Sequence, residues 1–429
     1  MINDLYPKKI YVELTTRCNL HCPMCVKYAA GSYIVEEDLP LAVFKRLAPA
    51  LAHAQTLILN GIGEPLLHPE LAEIIRFARA NMVPEAVIGF QSNGFLLDEA
   101  KSLRVLRAGL STVFLSLDSL EETAVDRVGE HSVAAVSSSL ANLVAAKKKL
   151  AANHFKIGLE LVLTKATLAG LPRFVQWAVD HGADSIIATH LLHYNSATED
   201  LSLFNPNSAE AVQLFNAYND RAAAQGINLA NCLSTYLKFT KTKADTAAVQ
   251  LFQELQQEAR DRDIRLHLQS LLAHTTGDVE KQVQTFAEAK TIAAKNGIKI
   301  FLPPHQTLAD RACPFIAEKA VFIAASGAVM PCHFLWHSYS CRVLGEEVQV
   351  RESSFGTIRE QSLETIWQSP EYRQFRDEAG QYDYASCWSC SQGPCATLVN
   401  DNTHSANDCY GSQVPCGHCQ WNLGGVHCL

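Results

Sequence analysis

The 429-residue chain lacks a basic surplus: 36 Lys and Arg stand against 44 Asp and Glu, a formal net charge of −8. A nucleic-acid surface normally carries a basic excess, so no nucleic-acid partner is expected. No run of like charge exceeds Lys147-Lys148-Lys149, which falls on a helical pattern and reads as a solvated face. The N-terminus has no long apolar stretch, so neither a signal peptide nor a membrane span is expected, and the chain reads as cytoplasmic. There is no G-x-S-x-G elbow. A dinucleotide fingerprint begins at Gly61-Ile62-Gly63 and then fails, because Leu66 stands where the third glycine belongs. Hydrolase and dehydrogenase chemistry therefore have little support.

Cysteine, by contrast, is plentiful. Fourteen cysteines in a reducing compartment read as metal ligands rather than disulfides, and ten of them lie between Cys313 and Cys428. Near the N-terminus Cys18, Cys22 and Cys25 form a C-x3-C-x2-C run. Three thiolates at this spacing can wrap three irons of one cubane and leave the fourth iron open to a small molecule. A zinc site would want a fourth ligand, and no Cys or His supplies one at finger-like spacing.

The first 195 residues alternate β-rich runs with amphipathic helical ones. Strands are expected at 10–14, 56–60, 87–91, 112–117, 156–163 and 185–190, and helices at 40–53, 69–80, 98–108, 133–152 and 171–181. Six such alternations imply an α/β fold with a parallel sheet and right-handed crossovers. Its active site belongs at the C-terminal ends of the strands. Residues 196–304 are helix-rich and carry a weak repeat. Phe215, Phe252 and Phe286 each precede an isoleucine (Ile227, Ile264, Ile298) by twelve residues, which suggests three helix-then-strand units or chance similarity among amphipathic helices. Pro303-Pro304 marks a break before a cysteine-rich domain over 305–429.

Candidate binding residues cluster at the expected strand ends. Gly61, Gly63, Glu64 and Pro65 follow the second strand; the glycines let backbone approach a ligand, and Glu64 or a carbonyl can take an ammonium. Ser92 and Asn93 follow the third strand, and Ser116 and Asp118 end the fourth, where they can meet sugar hydroxyls or simply serve as turn and cap residues. Lys165, His190, His193 and Tyr194 end the fifth and sixth and are candidates to meet substrate. Met24 is either a ligand contact or ordinary core.

A strand delivering a three-cysteine loop resembles the start of radical SAM enzymes, and the resemblance runs from that strand through about residue 195. It implies a partial (β/α)6 TIM-like barrel in which Cys18, Cys22 and Cys25 hold a 4Fe-4S cluster that binds S-adenosyl-L-methionine (SAM). Met24 would then lie near the adenine. Gly61-Ile62-Gly63-Glu64-Pro65 resembles the family's GGEP motif, with Ile62 splitting the glycines. The expected chemistry is reductive SAM cleavage to a 5′-deoxyadenosyl radical that abstracts a substrate hydrogen. A reductant such as ferredoxin or flavodoxin would supply the electron.

The later cysteines resemble a SPASM extension, which binds two auxiliary 4Fe-4S clusters. Cys313 and Gly327-x4-Cys332 match it well, and Cys387-x2-Cys390-x4-Cys395 departs, with Val399 where a cysteine belongs. The expected sets are Cys313, Cys332, Cys341 and Cys409 on one cluster, and Cys387, Cys390 and Cys395 on the other with Cys416, Cys419 or Cys428. A zinc ribbon built from Cys387/Cys390 and Cys416/Cys419 competes but leaves the other six of these ten cysteines unexplained. The ending Pro415-Cys416-Gly417-His418-Cys419-Gln420-Trp421 resembles maturases that accompany tungsten-containing aldehyde oxidoreductases. The expected substrate is therefore such an enzyme or its pterin cofactor. A peptide or protein side-chain maturase and a non-catalytic metal scaffold are the alternatives.

Overall fold

The computed structural model describes residues 5–29, 31–121, 132–194, 198, 201–236, 238–273, 276–306, 312–343, 346–383, 414–427 and 429. Cys387, Cys390, Cys395, Cys409 and Cys428 lie outside them.

The six expected strands all form: β1 (Lys9–Val12), β2 (Thr56–Ile58), β3 (Val87–Ser92), β4 (Thr112–Ser116), β5 (Lys156–Leu163) and β6 (Ser185–His190). Two more parallel strands extend the sheet, β7 (Lys299–Phe301) beside β6 and β8 (Ala320–Ile323) beside β1. The full order is β7-β6-β5-β4-β3-β2-β1-β8-β9, and only β9 (Val329–Met330) runs antiparallel to its neighbour. A separate antiparallel hairpin pairs β10 (Tyr339–Val343) with β11 (Glu346–Val350).

Side chains alternate along each strand, and this alternation divides the interior. On β1, Ile10 and Val12 join the large core beneath the helices, while Tyr11 faces a second core shared with Phe322, Phe334 and Trp421. Helices Leu71–Asn81, Glu99–Arg107, Val133–Lys149 and Leu171–Asp180 cover the outside. Their starts are set by local chemistry: Asp98 caps the Lys101 N–H and Ser132 caps the Ala135 N–H. The expected helix at 40–53 forms as three short turns, Leu41–Phe44, Lys45–Leu47 and Ala48–Leu51, with Pro49 inside the last. Among the described residues no helix is long and apolar enough to cross a membrane.

The helix-rich stretch divides in two. Helices Ala209–Ala224 and Lys243–Asp261 build a lobe with its own core around Leu214, Phe215, Leu251, Phe252 and Leu255. Helix Thr276–Lys295 instead packs on helix Leu171–Asp180 and sends Phe286, Ala289 and Ala293 into the barrel core. Residues 276–301 of the expected 196–304 segment therefore pack with the barrel rather than with the lobe. Of the three repeat units only the last makes a strand, β7. Ile227 follows its helix directly and Ile264 sits in the lobe core, so neither has a sheet edge to join.

A single side chain ties the lobe's two ends together. Asn207, fully buried, accepts the His267 N–H at 2.7 Å and donates to the His267 carbonyl at 3.2 Å. Asn207→Ala strands the His267 N–H, since the carbonyl still accepts the Leu271 N–H at 3.1 Å, and should cost about 1–3 kcal/mol locally. Limited proteolysis within 209–273 is expected to accelerate; an unchanged cleavage rate would show that the clamp is dispensable.

Candidate functional site

The loop after β1 is held by its own flanks. Arg17 donates from Nε and Nη2 to the two oxygens of Asp38, at 3.1 and 2.6 Å. Lys27 Nζ reaches the Thr16 carbonyl at 2.9 Å and Glu36 at 2.7 Å. The Cys25 N–H bonds the Cys22 carbonyl at 2.9 Å, closing a turn between the second and third cysteines.

The loop after β2 lies directly against it. A Cβ on Gly63 would stand 2.2 Å from the Thr15 carbonyl oxygen, and one on Gly61 would stand 2.3 Å from Glu13 Cγ. Both glycines thus pack against the chain itself as well as lining the cavity. The Glu64 N–H then bonds the Arg17 carbonyl at 2.8 Å. Pro65 is buried and opens the helical turn that Glu64 caps, away from the cavity lining.

Glu64 is 2% exposed, and its carboxylate is already engaged. Oε1 accepts from the Leu66 N–H at 3.1 Å and the Ser92 hydroxyl at 2.9 Å, and Oε2 accepts from the Asn93 N–H at 2.9 Å. Burial pushes its pKa up to about 6 despite these three donors. Its position makes it a brace between the loops after β2 and β3. Asn93 in turn donates to Asn19 Oδ1 at 2.9 Å, so the brace extends into the cysteine loop.

These loops surround one cavity of about 350 Å³, within the range usual for small-molecule sites. Its lining gathers Cys18, Cys22, Met24 and Cys25, then Gly61, Gly63 and Glu64, then Ser92, Asn93, Ser116 and Asp118. Residues from the ends of six consecutive strands converge there, as a curved parallel sheet requires. His190 and Tyr194 also line it. Lys165 and His193 do not: Lys165 is exposed, and His193 turns to Thr198 and to the Arg342 backbone.

The donor set suits an iron–sulfur cluster with an open iron. Cys18, Cys22 and Cys25 all line the same cavity, and the Tyr28 hydroxyl is pushed up to about 12 by partial burial and then by these three cysteines. Burial also raises the Cys25 thiol to about 11, so an uncompensated thiolate is disfavoured there until a metal takes it. Among the described residues no three His, Cys, Asp or Glu side chains converge as ligands of a single ion do. A cubane spreads its thiolates over separate irons and needs no such convergence.

Several residues in and behind the lining escaped the sequence reading. Gln91 donates to Glu160 and accepts from Asn60, forming a polar chain across the ends of β2, β3 and β5. Glu160 opens onto the cavity with protein behind it, and burial followed by the charge of Asp118 raises its pKa to about 7. Glu13, fully buried, accepts from the Ile62 N–H at 2.9 Å, the Ala325 N–H at 3.2 Å and His337 Nε2 at 3.2 Å. One signal could have found both: each carboxylate interrupts an otherwise apolar strand sequence. His190 Nε2 donates to the Pro304 carbonyl at 2.8 Å, which fixes the tautomer; burial lowers its pKa to about 4, so it is neutral. Its Nδ1, the Trp336 Nε1–H and Asn60 Oδ1 have no hydrogen-bond partner among the described residues, and all three side chains line the cavity.

Gly63→Ala should cost about 1–3 kcal/mol through backbone overlap and release the cysteine loop. Anaerobic iron content is the check, and wild-type loading would refute the packing argument. Glu160 gives a pH signature. Its folded pKa of about 7 lies above the reference 4.5, so the native state binds more protons than the unfolded chain between those values. Stability from this group therefore falls as pH rises through about 4.5–7. Urea titrations of Glu160→Gln should show a shallower decline than wild type across that window; parallel profiles would contradict it.

Comparison with known proteins fits this geometry. The Radical SAM superfamily matches residues 12–158, and SPASM, an iron-sulfur cluster-binding domain, matches 313–391. The tungsten-containing aldehyde ferredoxin oxidoreductase cofactor-modifying protein of Pyrococcus furiosus is 25% identical over 98% of this chain and 97% of its own. A PqqA peptide cyclase of Gluconobacter oxydans is 25% identical over 52% of this chain and 60% of its own. Native anSMEcpe with bound AdoMet shares the fold, with a TM-score of 0.51 and 12% identity over 96% of this chain and 94% of that one. Streptococcus suis SuiB bound to S-adenosylmethionine also has a TM-score of 0.51, at 12% identity over 92% and 75%. Cysteine loop, strand-end cavity and both domain matches agree: this chain is a radical SAM enzyme with a C-terminal SPASM domain, whose cofactors are 4Fe-4S clusters and S-adenosylmethionine.

Proposed function

We propose that this enzyme matures a tungsten- or molybdenum-pterin oxidoreductase, acting on its cofactor or on the protein that carries it. The observation carrying this reading is length. The similarity to the cofactor-modifying protein runs end to end, whereas the PqqA peptide cyclase match covers about half of the chain. The shared length includes the helical lobe and the last cysteines, the parts that distinguish this chain from a bare barrel.

In this reading Cys18, Cys22 and Cys25 hold the cluster that binds SAM. Together these cofactors supply a radical able to abstract hydrogen from an unactivated carbon. The chain's own residues orient and enclose. Glu64 locks the loop after β2, and Ser92, Asn93, Ser116 and Asp118 give a polar rim suited to a sugar. Met24 offers an apolar contact to a base. Neutral His190 and Asn60 present acceptors, and Trp336 presents a donor, to whatever shares the cavity. A ferredoxin- or flavodoxin-type donor in the cytoplasm would supply electrons, in keeping with a thiol-rich chain.

The test is anaerobic incubation with SAM, a low-potential reductant and a pterin oxidoreductase prepared without this enzyme. Mass spectrometry should find 5′-deoxyadenosine together with a changed pterin or oxidoreductase. Turnover coupled only to a short precursor peptide would replace this reading with peptide maturation. Cys22→Ala is expected to abolish 5′-deoxyadenosine formation; unchanged formation would sink the assignment of the loop.

A further inference from the structure

Four cysteines from separate parts of the chain line a second, small cavity. Cys313 stands at the head of helix Pro314–Ala317, and Cys332 follows β9 by two residues. Cys416 lies within the turn Pro415–His418 and Cys419 caps it. The rest of the lining is almost wholly apolar, including Phe315, Phe334, Phe375 and Trp421. Hydrogen bonds hold this grouping together. Asn422, 2% exposed, donates to the Cys416 carbonyl at 2.7 Å, and its own carbonyl accepts the Ala312 N–H at 3.0 Å. The Cys313 N–H bonds the Tyr382 hydroxyl at 3.0 Å. Cys341, expected in this set, does not line the cavity; it sits on β10.

The same C-terminal segment walls the first cavity. Trp421, Val426 and His427 line it, and Trp421 lines both cavities. The His190 N–H bonds the Gly425 carbonyl at 2.9 Å, and His427 stacks on Phe301 at 4.1 Å between centroids.

We propose that Cys313, Cys332, Cys416 and Cys419 together ligate one auxiliary four-iron cluster, and that this cluster anchors residues 414–427 as a wall of the active cavity. The proposal rests on the SPASM assignment but draws two ligands from beyond the matched 313–391. Four thiolates complete a cubane, so every iron is held by protein and none is left open to substrate. The cluster's task is then to fix the wall and to carry electrons.

Iron counting on anaerobically purified full-length protein tests the grouping. Cys313→Ala and Cys416→Ala should each lose about four irons per chain, and the double variant no more than either single. Cys341→Ala should lose none. A double variant losing twice as much, or Cys416→Ala keeping all its iron, overturns the proposal. Cys22→Ala counted in parallel reports the first cluster independently, so failure here is distinguishable from failure of the radical SAM reading.

Wild-type protein supplies a measurement that needs no variant to fold. As a chelator strips iron, the four cysteines should become reactive to an alkylating reagent together, and amide exchange over 414–427 should rise with them. Alkylation of Cys416 and Cys419 in loaded protein overturns the ligand set, and unchanged exchange overturns the anchoring.

Discussion

Backbone packed on backbone governs this structure. Where Gly63 meets the Thr15 and Arg17 carbonyls there is no room for even one carbon, and where Gly61 meets Glu13 there is none either. That contact allows the Glu64 N–H to reach the Arg17 carbonyl and positions the Glu64 carboxylate against Ser92 and Asn93. Three strand-end loops become one rigid unit. The cysteine loop, which has little apolar surface of its own to bury, takes its shape from that unit.

The polar interior follows from the period of the strands. Outward residues of β1 to β6 enter the large core, while inward ones near the C-terminal ends carry Glu13, Asn60, Gln91, Ser116 and Glu160. Such groups are costly to bury without partners. Their solution is a chain of hydrogen bonds across neighbouring strands, with Gln91 between Asn60 and Glu160 and Glu13 shared among Ile62, Ala325 and His337. The buried thiols present the same difficulty, and there metal coordination is the remedy.

Local signals in the sequence were sufficient for the barrel. β-rich runs placed all six strands, and the helices of the first 195 residues fell where periodicity put them, except 40–53, which breaks into three short turns. The Cys18–Cys25 loop and the strand-end polar residues were legible because their meaning lies in short spacing. Long-range pairings were not. Nothing local to Ile298 distinguishes it from Ile227 or Ile264; only Ile298 leads into a strand beside the sheet edge at β6. Nothing local to Cys416 says that it will share a cavity with Cys313. The grouping of Cys416 and Cys419 with Cys313 and Cys332 depends on Asn422 and on the path of the C-terminal segment, which only the fold reveals. Pro65 was read as a ligand contact, yet it lies off the cavity lining, while Gly61 and Gly63 line the cavity and pack on the chain as well.

If the braced cysteine loop holds a cluster whose open iron takes SAM, electron–nuclear double resonance on the reduced protein, with SAM labelled in its methionine amino nitrogen and carboxylate oxygen, will show hyperfine coupling from both labels to the cluster, lost in Cys22→Ala. A reduced cluster with no coupling to either label in wild-type protein rules that binding mode out.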